Sequence, residues 1–334
     1  MKRTMTIMAG VVAAIAVGVV ALHAQRPAQT PTMTVAEHLA HLEAAGNAHA
    51  GHALMAMNAP ALQAAPATMA LPADDAGVAA RLATSRGEFV TLDVGGTPMR
   101  TWVVRPQQQG PAPVVIVIQE IFGLSDWIRG VADQLAAEGF IAVAPDLLGD
   151  STQVAAAEMT QAHFALQPAD IVAKLKAARE HGLTLPNANG KSATIGFCFG
   201  GNQSFLMAVE EPSLNAAVVY YGTAPTDAPA AAGGGRGRGR GGAPAAFVPS
   251  DRLANIQAPV LGLYGGLTED ARIGASLAPT EAKMKELGKT YEPHVFEGAA
   301  HGFLRAQTGN NGANMKATQE AWPLTVNWIR KHAS

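Results

Sequence analysis

The sequence predicts an α/β domain, a mostly parallel sheet with helices on both faces. Three observations predict it. The apolar runs at 113–119, 140–144 and 259–264 are continuous rather than alternating, as in strands buried on both faces of a sheet. Stretches of helical length separate them, so strand and helix alternate along the chain. Thr194-Ile195-Gly196-Phe197-Cys198-Phe199-Gly200-Gly201 joins an apolar run to a helix-like stretch at 203–209, through a glycine-flanked turn that holds the only cysteine.

The elements follow in order. Residues 88–94 alternate like a strand, Gly95-Gly96 makes a hairpin turn, and 99–105 returns. The buried strand at 113–119 is followed by an amphipathic helix at 127–138, which Gly139 ends. Residues 140–144 form the next strand, closed by Pro145-Asp146. A helix at 168–181 leads to the strand that runs into the cysteine turn. Residues 216–221 and 259–264 are further strands, 280–287 a helix, 291–296 the last strand and 319–332 the last helix.

The ends and the composition set the frame. Met1-Lys2-Arg3 precedes an uncharged stretch from Thr4 to Leu22, with Ala24 at a point of possible cleavage. Residues 1–24 therefore read as a signal peptide, or as a membrane anchor if uncleaved, and the expected location is periplasmic or secreted. Residues 25–80 form an extension rich in Ala, Pro, His and Met, with a plausible helix at 35–45. His38, His41, His49, His52, Met55 and Met57 in it suit copper or zinc, but no carboxylate or Cys completes a familiar ligand set, and a solvated tether is the plainer reading. The domain is expected over 81–334, interrupted at 224–249 by a Gly/Ala/Pro/Arg tract that cannot bury a core. A net charge of −2 gives no footprint for nucleic acid. A lone cysteine makes no internal bridge, and a thiol left exposed to an oxidising compartment points to a task for it.

The chemistry starts from that cysteine. Gly-x-Cys-x-Gly between strand and helix is the nucleophile-elbow pattern with Cys in the serine position, which points to an α/β-hydrolase fold with a thiol as attacking group. Gly196 and Gly200 leave room where a Cβ would crowd the turn. A thiol nucleophile needs a base, and the base an orienting acid, in the chain order nucleophile, acid, base. Leu263-Tyr264-Gly265-Gly266-Leu267-Thr268-Glu269-Asp270 and Gly298-Ala299-Ala300-His301-Gly302-Phe303 each follow a strand, where active sites of open α/β sheets form. Asp270 is assigned as the acid, with Glu269 its rival, and His301 as the base. His294 lies within a strand and reads as structural, while His163 and His181 have no strand-end setting. A free thiol titrates near ~8.5, so His301 and the N-terminus of the following helix would both favour the thiolate. The Phe199 N–H is one candidate donor to an oxyanion, and the second should come from the loop Gln119-Glu120-Ile121-Phe122-Gly123.

Those motifs, with Asp270, His301-Gly302-Phe303 and Ala144-Pro145-Asp146-Leu147, resemble the dienelactone hydrolase (carboxymethylenebutenolidase) family over about residues 89–333, less the tract. The resemblance implies a triad of Cys198, Asp270 and His301, and oxyanion amides from Ile121 and Phe199. It implies that Glu120 contacts the thiol and helps to activate it when substrate binds, and that Arg305 holds a substrate carboxylate. It implies no cofactor and no metal, and a monomer. Two features depart from the family. Residues 147–166 contain no Arg or Lys to act as a second carboxylate ligand, and the chain carries an export-type leader. The expected activity is cleavage of an activated ester or lactone through a thioacyl intermediate. The alternatives are a binding or scaffold protein whose hydrolase site is idle, and a copper-binding protein in which the hydrolase domain is secondary.

Overall fold

The computed structural model describes residues 71, 74–227 and 247–334. The leader, the helix expected at 35–45, the His- and Met-bearing segment and residues 228–246 of the tract lie outside the described residues. Among the described residues no helix is long and apolar enough to cross a membrane.

Eight strands form one sheet in the order β1-β2-β4-β3-β5-β6-β7-β8. β1 (Glu88–Val94) and β2 (Thr97–Val104) make an antiparallel hairpin at one edge, and β2 also runs antiparallel to β4 (Ile141–Pro145). The remaining strands, β3 (Ala112–Ile118), β5 (Ala188–Phe197), β6 (Ala216–Tyr220), β7 (Val260–Gly265) and β8 (Tyr291–Phe296), are parallel to one another and to β4. The hairpin closes through two residues, Gly95 and Gly96, both at positive φ (61° and 85°). That backbone matches strand twist, and it is a conformation glycine adopts without strain.

Alternate residues of each strand point to opposite faces, and each face carries its own helices. Val115, Val117, Ile195 and Val218 pack with α1 (Asp75–Ala83), α2 (Asp126–Ala137) and α7 (Ala313–Ala333) through Val78, Ile128, Val131, Val326 and Ile329. On the other face, Val114, Ile116, Val219 and Val295 pack with α4 (Pro168–Thr184), α5 (Phe199–Glu210) and α6 (Ala271–Glu286) through Ile171, Leu175, Phe205, Leu277 and Met284. The fold class is that expected, a mostly parallel sheet covered on both sides.

Several boundaries differ from expectation. α6 runs from Ala271 rather than from residue 280, and α7 from Ala313 rather than 319. Each contains a proline, Pro279 or Pro323, which forfeits one backbone hydrogen bond that packing on the sheet offsets. α1 lies partly within the expected extension. Asp74 caps it by accepting from the Gly77 N–H at 2.7 Å, and Leu71 and Val78 are buried in the core. One buried residue in nine gives too weak a period to read. α3 (Met159–Ala165) is likewise short and was not expected. The ends of the Gly/Ala/Pro/Arg tract are packed rather than disordered. Ala224 is buried, the Ser250 N–H donates to the Pro225 carbonyl at 2.9 Å, and the Ser250 hydroxyl donates to Asp227 at 2.5 Å.

Candidate active site

The site lies at the carboxyl ends of β3, β5, β7 and β8. Cys198 sits between β5 and α5 at φ 57°, ψ −112°. A side-chain-bearing residue rarely adopts this backbone, which costs on the order of 1–3 kcal/mol and here lifts the thiol off the strand end. The turn closes because its glycines let backbone touch backbone. A Cβ on Gly196 would stand 1.9 Å from the Gly200 carbonyl oxygen, and one on Gly200 would stand 2.3 Å from the Ile118 carbonyl oxygen.

The second contact seats the elbow helix directly on the end of β3. Phe199 opens α5, where a helical N–H has no intrahelical acceptor, and Ile121 stands in the turn after β3. Neither N–H takes an acceptor among the described residues.

Asp270 ends the turn after β7 at the N-cap position of α6, with no capping hydrogen bond from its side chain; His301 lies in the loop after β8. The His301 Nδ1 stands 2.6 Å from the Asp270 Oδ2, and the ring also interacts with the Cys198 side chain. Asp270 is buried, whereas its rival Glu269 is exposed. The three side chains expected to form a triad are thus linked in a chain, Asp270 to His301 to Cys198. Burial alone would lower the proton affinity of His301, but its interactions with Asp270 and Cys198 outweigh that and raise its pKa to about 9. At neutral pH the ring is therefore mainly imidazolium.

This predicts a pH dependence of stability. An unfolded His titrates near 6.5, so the His301 contribution is full below that pH and is lost as pH rises to about 9. We expect urea midpoints of the wild type to fall across that window by on the order of 1–3 kcal/mol in unfolding free energy. An Asp270→Asn variant should start lower at pH 6 and lose less. Parallel pH curves for the two proteins would contradict the linkage.

Glu120 and Arg305 face the site from opposite ends of the domain's sequence. The Arg305 Nη1 donates to the Glu120 Oε2 at 2.8 Å. Burial pushes the Glu120 carboxyl up, and the Arg305 hydrogen bond and charge hold against it. The Arg305 guanidinium also lies 4.7 Å over the Phe122 ring. His294 lies within β8, buried beside Glu292 at 2.9 Å, and does not reach this group.

Two participants were not read from sequence. Tyr221, at the end of β6, is fully buried with its ring 5.0 Å from that of His301, and its hydroxyl has no hydrogen-bond partner among the described residues. Burial, with the nearby Glu120 carboxylate, holds the phenol well above its usual range, so it stays protonated. His163, set aside for want of a strand-end setting, is buried on α3 with its ring 5.2 Å from that of Phe199. Neither residue carries a motif. Among the described residues no group of acidic, His and Cys side chains could hold a metal ion.

Residues 99–333 match the dienelactone hydrolase family. A protein of Escherichia coli O157:H7, provisionally named carboxymethylenebutenolidase, is 29% identical over 282 residues, 82% of this chain and 94% of its own. A Synechocystis protein with the same provisional name is 31% identical over 247 residues, 70% of this chain and 92% of its own. In three dimensions, a provisionally named dienelactone hydrolase from Klebsiella pneumoniae superposes with a TM-score of 0.60 at 24% identity, covering 74% of this chain and 98% of that one. With the match spanning most of the sheet and every loop that lines the site, the chain belongs to the dienelactone hydrolase family.

Proposed function

We propose that the protein is an exported cysteine hydrolase that cleaves an activated ester or lactone through a thioacyl intermediate on Cys198. The observation that carries this reading is the arrangement of Asp270, His301 and Cys198, in which Asp270 hydrogen-bonds an imidazole that interacts with Cys198, with the thiol raised on a strained elbow beside two unengaged amides. An imidazolium next to a thiol at a helix N-terminus favours the thiolate. The thiolate attacks the carbonyl carbon, and the oxyanion is held by the Ile121 and Phe199 N–H groups. As the tetrahedral species collapses, His301 gives its proton to the departing alkoxide or enolate, and the acyl group remains on sulfur. His301, now neutral, takes a proton from water, which attacks the thioester and restores the thiol as the acid leaves.

Arg305 and Glu120 support a carboxylate-bearing substrate. A substrate carboxylate that engages Arg305 competes with Glu120, and a released Glu120, already pushed towards its neutral form by burial, can take the thiol proton. Two aromatic rings are exposed on the segments around the site, Phe122 at 52% and Phe164 at 49%, and residues 147–166 carry no Lys or Arg. This suits an apolar body with a single carboxylate. The names of the relatives point the same way, to lactone opening. Export rests on the basic start and uncharged run before Ala24.

The test is intact-protein mass spectrometry after mixing with aryl esters and small lactones. The expected result is a transient adduct of acyl mass on Cys198, lost on further incubation. No adduct and no turnover, with Cys198 alkylating as slowly as an ordinary buried thiol, would overturn the reading in favour of an idle site.

A further inference from the structure

Gln119, the residue before Glu120, is fully buried at the end of β3, and both ends of its amide are engaged. Its Oε1 accepts from the Leu147 N–H at 3.3 Å, in the loop after β4, and its Nε2 stands 2.7 Å from the His163 Nε2, on α3. The backbone N–H of Leu147 can only donate, so it selects the amide orientation and makes the Nε2 a donor to His163. The His163 Nε2 must then present its lone pair, with the ring proton on Nδ1. That proton is directed at the Met159 carbonyl, 2.8 Å away. All four groups are satisfied in one arrangement only, with His163 neutral. Burial also lowers the proton affinity of His163, against the Met159 hydrogen bond and the Asp146 charge.

This pair joins three pieces of chain around the two amides assigned to the oxyanion. Gln119 is two residues before Ile121, and its carbonyl oxygen lies against Gly200, where an added Cβ would approach to 2.5 Å. The His163 ring meets the Phe199 ring edge to face at 5.2 Å, and Phe164 meets it at 6.3 Å. One side chain thus springs from the loop that carries the first amide, and its partner touches the residue that carries the second.

We propose that Gln119 and His163 form a latch that sets the spacing and aim of the Ile121 and Phe199 amides, making both of them positioning residues for the reaction. They touch no reacting atom. This rests on the thiol mechanism above, and its effect falls where oxyanion stabilisation falls, on kcat rather than on KM.

Two replacements of His163 separate the latch from packing. In His163→Asn the amide nitrogen takes the place of Nδ1 and can still donate to the Met159 carbonyl, but nothing remains to accept from Gln119. In His163→Gln a carboxamide oxygen reaches the place of Nε2 and accepts from Gln119 again. With an activated aryl ester, and at a temperature where circular dichroism finds each variant folded, His163→Asn should lower kcat by roughly 10–100-fold with KM within about 3-fold. His163→Gln should retain kcat within about 3-fold of wild type. In a double-mutant cycle, Gln119→Leu with His163→Asn should cost no more than the worse single change, because either one opens the latch.

The proposal is overturned by a His163→Asn enzyme with wild-type kcat, by a loss confined to KM, by equal losses in the Asn and Gln variants, or by additive losses in the cycle. A wild type that forms no acyl adduct on Cys198 would instead defeat the underlying mechanism.

Discussion

Replacing Cys198 with alanine should lower ester turnover by about 10⁴-fold or more, the scale on which loss of a nucleophile acts when its partners depend on it. The thiol is removed without opening a core cavity, since Cys198 is only partly buried. Alanine carries the same Cβ at φ 57°, so the backbone strain of the elbow is unchanged. The urea midpoint should therefore stay close to wild type, apart from the loss of the interaction with His301. His301→Ala should cost almost as much turnover, because its imidazolium both stabilises the thiolate and protonates the leaving group. Initial rates with an activated aryl ester, alongside equilibrium unfolding, check both halves of the expectation. A folded Cys198→Ala protein that keeps even about a hundredth of the rate would move the chemistry to another residue.

The second large effect is on stability. In Gly196→Ala the new methyl would stand 1.9 Å from the Gly200 carbonyl oxygen and 2.4 Å from its carbonyl carbon. Both are backbone atoms, so no side chain can turn away to make room. The first turn of α5 must move, yet it is already wedged against Ile118 on one side and Tyr220 on the other. We expect a loss of about 3 kcal/mol or more, read from urea denaturation. The folded fraction should also lose activity, since the same shift displaces Cys198 and the Phe199 amide together. Unaltered stability with full activity would mean that the elbow tolerates a looser turn than the contacts describe.

The sheet and the positions of Cys198, Asp270 and His301 at strand ends were legible in the sequence. Cys198 and Asp270 follow apolar runs, which identify themselves one segment at a time, while His301 follows the mixed strand 291–296 and was placed by the Gly298-to-Phe303 stretch after it. What was not legible depends on pairs that meet only in space. Gln119 was visible inside a motif, but its role depends on His163, which stands 44 positions away on a seven-residue helix. No period is measurable over so short an element. Tyr221 read as the end of a strand, and only the fold shows its ring buried beside His301. α6 was shortened because Pro279 is a strong local stop signal, and the apolar face that carries the helix through it needs the sheet to be seen. The expected α7 already ran through Pro323 and missed only its start, at 313–318.

The Glu120–Arg305 ion pair joins residues 185 positions apart in the chain. Closing it requires the central parallel strands and the last loop to be in register, and such non-local pairings form late in folding because the entropy of large loops is lost before their contacts are gained. A nascent or partly assembled chain therefore contains Cys198 and its elbow without the cation that pairs with Glu120 or the imidazole beside the thiol. On the proposed mechanism, an activated sulfur would belong to the finished fold alone, and intermediates on the way to it would expose no more than an ordinary cysteine.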